Sequence, residues 1–212
     1  MAVRAYRQDA RAQQTQANAD RVVHTAVSLV KKTERTADIT LEDISKGSGV
    51  TVRTILRRFG SRDGVLEAAF AEIKTEFRSY RAPTTPGDVD AAVRALLDQY
   101  ERIGDLNIRA LEQEHQLPLL HRALTAARRS HREWLQHTFD PQLSQLAPRE
   151  HDHRVTSLYA ATDVYLWKLL RRDLGLDRDQ TEAAFTRLVH GVLALPARIP
   201  SKDKQLHSKE NR

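Results

Sequence analysis

Arginines are the residues of this sequence whose type and spacing most clearly predict chemistry. Residues 40–62 carry a net charge of +3, with the cations Lys46, Arg53, Arg57, Arg58 and Arg62 set against Glu42 and Asp43. Guanidinium groups attract phosphate, and their fork of donors can also bind O6 and N7 of guanine in the major groove. The cluster therefore predicts contact with DNA. The alternative is a small helical hairpin whose arginines are only hydrated.

Histidines offer a second chemistry, which is metal binding. The chain has 9 histidines and no cysteine, so a zinc site would need histidine and carboxylate ligands. The candidates are His115, His121, His131, His137 and the run His151-Asp152-His153. No pair among them combines i,i+4 spacing with an inward-facing carboxylate, which favours hydrated or capping histidines. We assign no catalytic residue, metal ligand or cofactor, and keep a His/Asp metal-dependent helical hydrolase as an alternative function.

The arginines lie in a segment that carries the signals of two short helices joined by a tight turn. Thr40 suits the N-cap of the first helix, and Asp43 can reach back to its free amides. Gly49 stands where the turn needs a backbone with φ > 0. The apolar anchors of the second helix are Val50, Ile55 and Phe59, and its outward positions are Thr51, Val52, Arg53, Thr54, Leu56, Arg57 and Arg58. This pattern predicts a helix-turn-helix with arginines on its exposed face.

These residues make the segment 21–70 similar to the DNA-binding domain of the TetR (tetracycline-repressor-like) family. The matching elements are Asp43-Ile44-Ser45, Ser48-Gly49-Val50-Thr51, Thr54-Ile55-Leu56-Arg57-Arg58-Phe59 and Ser61-Arg62-Asp63 before Leu66. The resemblance implies that the second helix enters the major groove, with Val52 and Arg53 near base edges and Thr54 on the same face. It also implies phosphates or the groove wall near Thr40, Thr51, Leu56, Arg57, Arg58 and Arg62.

Three departures from the family pattern bear on individual DNA contacts. The family usually has Tyr where this chain has Leu56, and a leucine can contact a thymine methyl but cannot donate to a phosphate. His is usual at Arg58, and a Phe and a Gly are usual near Lys31 and Arg35. These differences concern contacts and the end of the first helix, not the fold.

A boundary is predicted at residues 81–88, where two prolines and a glycine cannot continue a helix. Residues 20–80 then form a helix-turn-helix DNA-binding domain with a connecting helix, and residues 81–200 a helical effector-binding and dimerisation domain. Residues 1–19 are either a flexible basic arm or an extension of the first helix, and residues 201–212 are a disordered tail. The apolar periodicity is helical throughout, so the predicted fold is all-α.

Two long helices are predicted near the end of the chain, over about 152–173 and 178–194. The run from Val164 to Gly175 resembles the C-terminal helix pair with which TetR-family subunits form a four-helix bundle. A dimer would present two helix-turn-helix modules about one DNA turn apart, which raises affinity and fixes register. The resemblance predicts a homodimer; the alternative buries both helices inside a monomer. The predicted interface residues are Tyr159, Leu166, Leu170, Phe185, Leu188, Val189 and Val192.

A helical domain attached to a DNA reader suggests a pocket for a small-molecule effector within about 88–170. Candidate lining residues are Tyr100, Gln113, His121, Trp134, Tyr159, Asp163 and Trp167, each of which could also be an ordinary core residue. The leading hypothesis is a repressor that binds a double-stranded DNA operator and releases it when the effector binds. The polar first residues and the lack of a long apolar run predict a cytoplasmic protein that does not contact membranes. A helical adaptor that binds another protein is a further alternative.

Overall fold

A computed structural model describes residues 2–196 of the chain, with side chains from residue 11 onwards, so the predicted tail at 201–212 lies outside the described residues. Residues 2–196 form helices and connecting loops without a strand, which confirms the all-α fold. The helices are α1 (Ala2–Lys32), α2 (Leu41–Ser48), α3 (Val52–Phe59), α4 (Arg62–Tyr80), α5 (Val89–Glu112), α6 (Pro118–Thr138), α7 (Asp140–Leu143), α8 (Pro148–Ala161), α9 (Val164–Lys168) and α10 (Arg178–Ala194). No helix in this part of the chain combines the length and the apolarity that crossing a membrane requires.

Helices α1–α4 enclose a small apolar core at the N-terminal end. Its buried residues include Val22, Ala26, Val30, Ile44, Ile55, Val65 and Leu66. Helix α2 crosses α1 closely at Gly47, where a Cβ atom would lie 2.6 Å from Cγ2 of Thr25. The backbone of α1 is helical from Ala2, so the first residues extend the helix, which is one of the two predicted alternatives.

Helices α5–α10 form a second bundle with its own core. The largest of its fully buried side chains come from five helices and the end of α6: Leu96, Leu97, Leu135, Phe139, Leu143, Leu158, Trp167 and Phe185. Trp167 lies directly against Gly104 of α5, where any side chain would overlap its ring. Burial of this much apolar area is the main stabilising contribution to the bundle.

The helix predicted over 152–173 is interrupted. Helix α8 ends at Ala161, and Asp163 begins α9 as an N-cap that accepts a hydrogen bond from the Tyr165 amide at 2.9 Å. Between them, the carbonyl of Thr162 accepts a 2.8 Å hydrogen bond from the hydroxyl of Tyr100. The break is therefore held by a residue 62 positions earlier in the chain. After α9 the backbone widens into one π-helical turn, Leu169–Asp173.

Helix α5 is long and runs to Glu112, so most of the segment 105–116 is helical. Before α5, the loop 81–88 has no helix, as its prolines and glycine predict. The 3₁₀ turn Thr36–Asp38 joins α1 to α2. This turn lies between the two bundles.

Candidate nucleic-acid interface and ligand cavity

Local hydrogen bonds fix the helix-turn-helix. Thr40 and Asp43 form the reciprocal capping box predicted for α2, and this bonding to Thr40 lowers the pKa of the Asp43 carboxyl. Gly49 ends α2 with φ 68°, the left-handed conformation that its position predicts. The Thr51 hydroxyl caps α3 by accepting a hydrogen bond from the Thr54 amide. The turn between the two helices is thus set by residues within four positions of one another.

Helix α3 buries one face and exposes the other. Ile55 is buried and Phe59 half-buried, while Arg53, Arg57 and Arg58 are all exposed. Leu56 is 39% exposed, which is unusual for a leucine on so short a helix. Gly60 ends α3 with φ 78°, and Ser61 caps α4 immediately afterwards. Helix α3 therefore presents the guanidinium groups of Arg53, Arg57 and Arg58 to solvent.

Arg62 behaves differently from the arginines of α3. Its Nη2 donates a 3.0 Å hydrogen bond to the carbonyl oxygen of Thr36, and its Nε is buried without a partner. The side chain therefore joins the start of α4 to the 3₁₀ turn. Its Nη1 lies 3.8 Å from the Asp63 carboxylate, and the predicted phosphate contact of Arg62 stays a prediction.

A cavity of about 1320 Å³ lies between the N-terminal bundle and the C-terminal bundle. Its walls come from the end of α1 and from α4, α5, α6, α8 and α9. Of the predicted ligand residues, Tyr100, Gln113, Trp134, Tyr159 and Asp163 line it. The volume exceeds the roughly 300–1,000 Å³ that is typical of sites for drug-sized molecules.

Two predicted ligand residues lie elsewhere. The Trp167 ring is fully buried in the core of the second bundle, and its Nε1 donates a 3.0 Å hydrogen bond to Glu101. His121 is exposed, and its Nδ1 lies 3.0 Å from the Glu114 carboxylate. Both residues were candidates because they lie within the helices predicted to form the pocket, and the sequence alone could not distinguish a cavity wall from a core or a surface position.

An aromatic cluster forms one wall of the cavity. The His131 ring stacks on Trp134, with centroids 5.5 Å apart, and meets Tyr159 edge-on at 5.1 Å. Burial lowers the pKa of His131 to about 3, so the ring is neutral at ordinary pH. Its Nε2 lies 3.0 Å from the Thr162 hydroxyl. The sequence favoured hydrated histidines, and for His131 that expectation is wrong because α8 covers the ring.

Arg81 is a cavity residue that the sequence did not identify. Arg81, at the end of α4, places its guanidinium carbon 4.1 Å from the centroid of a Trp134 ring. Its Nε and Nη2 both donate to the side-chain oxygen of Gln99, the former at 2.9 Å. Burial lowers the pKa of Arg81 to about 10. A cation in a linker of prolines gave no sequence signal, because linkers normally face solvent.

Gln113 connects the cavity to the helix-turn-helix module. Its Oε1 accepts a 2.8 Å hydrogen bond from the Thr36 amide, and its Nε2 donates to the carbonyls of Glu34 and Arg109. Because Arg62 donates to the carbonyl of the same Thr36, a chain of hydrogen bonds runs from α5 to the start of α4. The path is short, and its members are buried or half-buried.

The predicted dimer residues divide into two groups. Leu188 is 45% exposed, and Tyr159, Leu166 and Val192 are half-buried. In contrast, Leu170, Phe185 and Val189 pack in the core of their own protomer and have no surface left for a partner. The apolar periodicity of α10 predicted apolar residues on two faces of the helix, but it did not show which face packs in the core and which faces solvent. The exposed stripe of α10 consists of Leu188 and Gly191, continued by Leu195 at the C-cap and bordered by the half-buried Ala184.

In the described part of the chain, histidines meet single carboxylates, as His121 meets Glu114 and His190 meets Asp90. Among the residues that the structure describes, no three His, Asp or Glu side chains are arranged to hold a metal ion. Within the run 151–153, Nδ1 of His151 lies 3.5 Å from its neighbour Asp152, whose side chain is exposed.

Comparison with known proteins gives a structural match. The fold is similar to that of a transcriptional regulator from Rhodococcus sp. Rha1, with a TM-score of 0.63 and 14% sequence identity. The match covers 82% of this chain and 95% of that one. No family model matches the chain, and no curated protein matches it significantly. At this identity the likeness establishes a shared fold.

Proposed function

We propose that this protein is a dimeric, DNA-binding transcriptional regulator of the TetR type, a repressor released from its operator by a small molecule. The arginine face of α3 carries the proposal. Arg53, Arg57 and Arg58 are exposed there on a helix anchored by buried Ile55, and a helix of that kind fits the major groove. The likeness of the fold to that of a regulator from Rhodococcus supports the same function. Operator binding places such a protein in the cytoplasm.

In the proposed complex each arginine has a separate role. Val52 and Arg53, at the start of α3, approach base edges, where a guanidinium can read guanine. Arg57 and Arg58, in the last turn, approach phosphates and contribute affinity that is independent of sequence. Leu56 contacts the groove wall or a thymine methyl.

The exposed stripe of α10 is the proposed dimer surface. Leu188 and Leu195 are 45% and 56% exposed, more than a large aliphatic side chain usually is. Between them, Gly191 has no neighbouring atom within 4 Å of where a Cβ would be, so a partner helix can approach closely. Two copies of this stripe related by a twofold axis would form the interface.

Ligand binding is proposed to act through Gln113. A molecule that shifts α5 moves the group that holds Thr36, and with it Arg62 and the start of α4. The two recognition helices would then be wrongly spaced for their half-sites. By linkage, the operator and the ligand must weaken each other's binding by the same factor.

Footprinting on the DNA upstream of the protein's own gene tests DNA binding. We expect protection of a pseudo-palindrome whose half-sites are about one helical turn apart. Lack of protection even at about 50 mM salt, where electrostatic binding is strong, would reject the regulator function and favour the protein-binding adaptor. Compounds that bind the protein should then remove the footprint, and if none does, the release step is wrong.

The dimer is tested by light scattering on Leu188→Asp. A buried carboxylate in each subunit should convert the dimer to a monomer. Ala183→Asp is the matched control, because it places the same charge on α10 about 140° around the helix from Leu188. Residue 183 is exposed in the protomer, so this variant should stay dimeric. A monomeric parent protein, or equal behaviour of the two variants, would refute the proposed surface.

A further inference from the structure

The electrostatic character of the cavity indicates which chemical class it binds. Eight Lys or Arg and three Asp or Glu side chains line it. Two of these cations already have acidic partners: Arg128 pairs with Glu114, and Arg122 with Glu67. The remaining excess of positive charge around an apolar wall favours an anion with a hydrophobic body.

Arg81 is the cation placed to bind that anion. No carboxylate within the described residues lies within ion-pair distance of its guanidinium, and its only hydrogen-bond acceptor there is the neutral Gln99. Its Nη1 makes no hydrogen bond with any described residue. Arg81 is half-buried, and partial removal of a cation from water without an anion beside it is costly, which lowers the pKa of Arg81. An anionic ligand would remove the cost and bond through the free donor.

Of the three acids that line the cavity, Asp163 is half-buried while Glu34 and Glu67 are exposed, so Asp163 is the acid that could instead bind a cation there. Its carboxylate already caps α9 by accepting from the Tyr165 amide. Burial also raises the pKa of Asp163, which weakens its preference for the charged form. Asp163 therefore has a structural role that Arg81 lacks, and it is the poorer anchor for an ion.

The rings beside Arg81 define the rest of the ligand. Trp134 lies under the guanidinium on one side and stacks with neutral His131, and Tyr159 closes the same wall. Flat aromatic surfaces of this kind favour a flat apolar partner through offset or edge contacts. The anchor and the stacking surface are thus adjacent.

We infer that the cavity binds an organic carboxylate, with the acid group paired to Arg81 and a planar apolar body against Trp134. The inference rests on the proposed function, since it names the class of effector that the regulator would sense. The pairing also restrains the linker after α4, which connects the helix-turn-helix module to α5.

Calorimetric titration of the purified protein, without DNA, tests the inference with three probes of one shape: 2-naphthoate, 2-naphthylmethanol and 2-naphthylmethylamine. We expect the acid to bind at least about tenfold more tightly than the alcohol, as a charge-assisted hydrogen bond to arginine implies. The amine should bind more weakly than the alcohol. No binding of the acid at millimolar concentration, or equal binding of acid and alcohol, overturns the inference.

Replacement of Arg81 tests whether its charge, and not the shape of the cavity, causes the preference for the acid. Arg81→Gln should lower affinity for the acid by about tenfold and leave affinity for the alcohol within about twofold, whereas Arg81→Lys should keep part of the preference for the acid, because lysine retains the charge but not the planar fork of donors. Trp134→Leu should weaken acid and alcohol alike. If Arg81→Gln does not fold, loss of the preference must appear in Arg81→Met; an acid preference that survives neutralisation refutes the role of Arg81. Because DNA is absent, a failed footprint with intact naphthoate binding rejects the regulator function alone.

Discussion

Replacement of Arg57 by alanine is the most direct perturbation of the proposed DNA interface. The side chain is exposed near the end of α3 and makes no hydrogen bond or ion pair with any residue that the structure describes. Alanine has a higher helix propensity than arginine, so α3 itself should not lose stability. Any effect on DNA binding can therefore be attributed to the lost cation.

The size of the effect follows from the dimer. Each phosphate contact adds roughly 0.9 to the slope of log K against log salt, so two copies of Arg57 account for about 1.8. If the two binding curves meet near 1 M salt, the affinity of Arg57→Ala at about 0.15 M salt is roughly 30-fold below that of the parent. The loss should be the same for the operator and for unrelated DNA, because phosphates carry no sequence information.

The assay is fluorescence anisotropy with operator and random duplexes at four salt concentrations. Arg149→Ala is the matched control, since Arg149 is exposed on α8 outside the helix-turn-helix and its loss changes the net charge equally. Its salt slope should equal that of the parent. A parental slope for Arg57→Ala, or equal slopes in the two variants, would show that Arg57 does not contact phosphate.

Three further outcomes are expected. Arg53→Ala should reduce discrimination between operator and random DNA by about 1–3 kcal/mol per half-site, measured by competition; a uniform loss on both duplexes would contradict the base contact. Gly104→Ala should destabilise the protein by about 1–3 kcal/mol and lower the melting temperature, because the added methyl overlaps the buried Trp167 ring; an unchanged melt would contradict this. The His131 imidazole, whose pKa is lowered to about 3 by burial, takes up a proton near pH 6.5 only when unfolded. Its contribution to stability is therefore present above pH 6.5 and lost as the pH falls, and melts from pH 7.5 to 4.5 should be less pH-dependent in His131→Gln than in the parent; equal slopes would refute this.

Local signals made the helix-turn-helix predictable. Thr40 and Asp43 are three residues apart, and Gly49 needs only its own backbone conformation, so their roles can be inferred within one short window. The exposure of the α3 arginines could be predicted for the same reason, because Ile55 in the same short helix marks the face that is buried. Helix caps and turns depend little on distant parts of the chain.

Long-range partners account for what the sequence could not predict. The end of α8 depends on Tyr100, and no proline or glycine marks it. Phe185 and Leu188 both lie on apolar stripes of α10, but the choice of inward and outward face depends on how α10 packs against α5 and α8. Arg81 and His131 are polar residues whose burial follows from the position of a cavity. Periodicity detects an apolar face but not what covers it.

The hydrogen bond from the Thr36 amide to Gln113 joins residues 77 positions apart, on either side of the seam between the two bundles. A buried amide of that kind exchanges its hydrogen for deuterium only when the seam opens. The exchange rate of this single position would therefore measure the free energy of opening in the isolated protein, with no bound partner and no attached label. The Thr36 amide therefore reports on the opening of the seam at one of the contacts that hold the two bundles together.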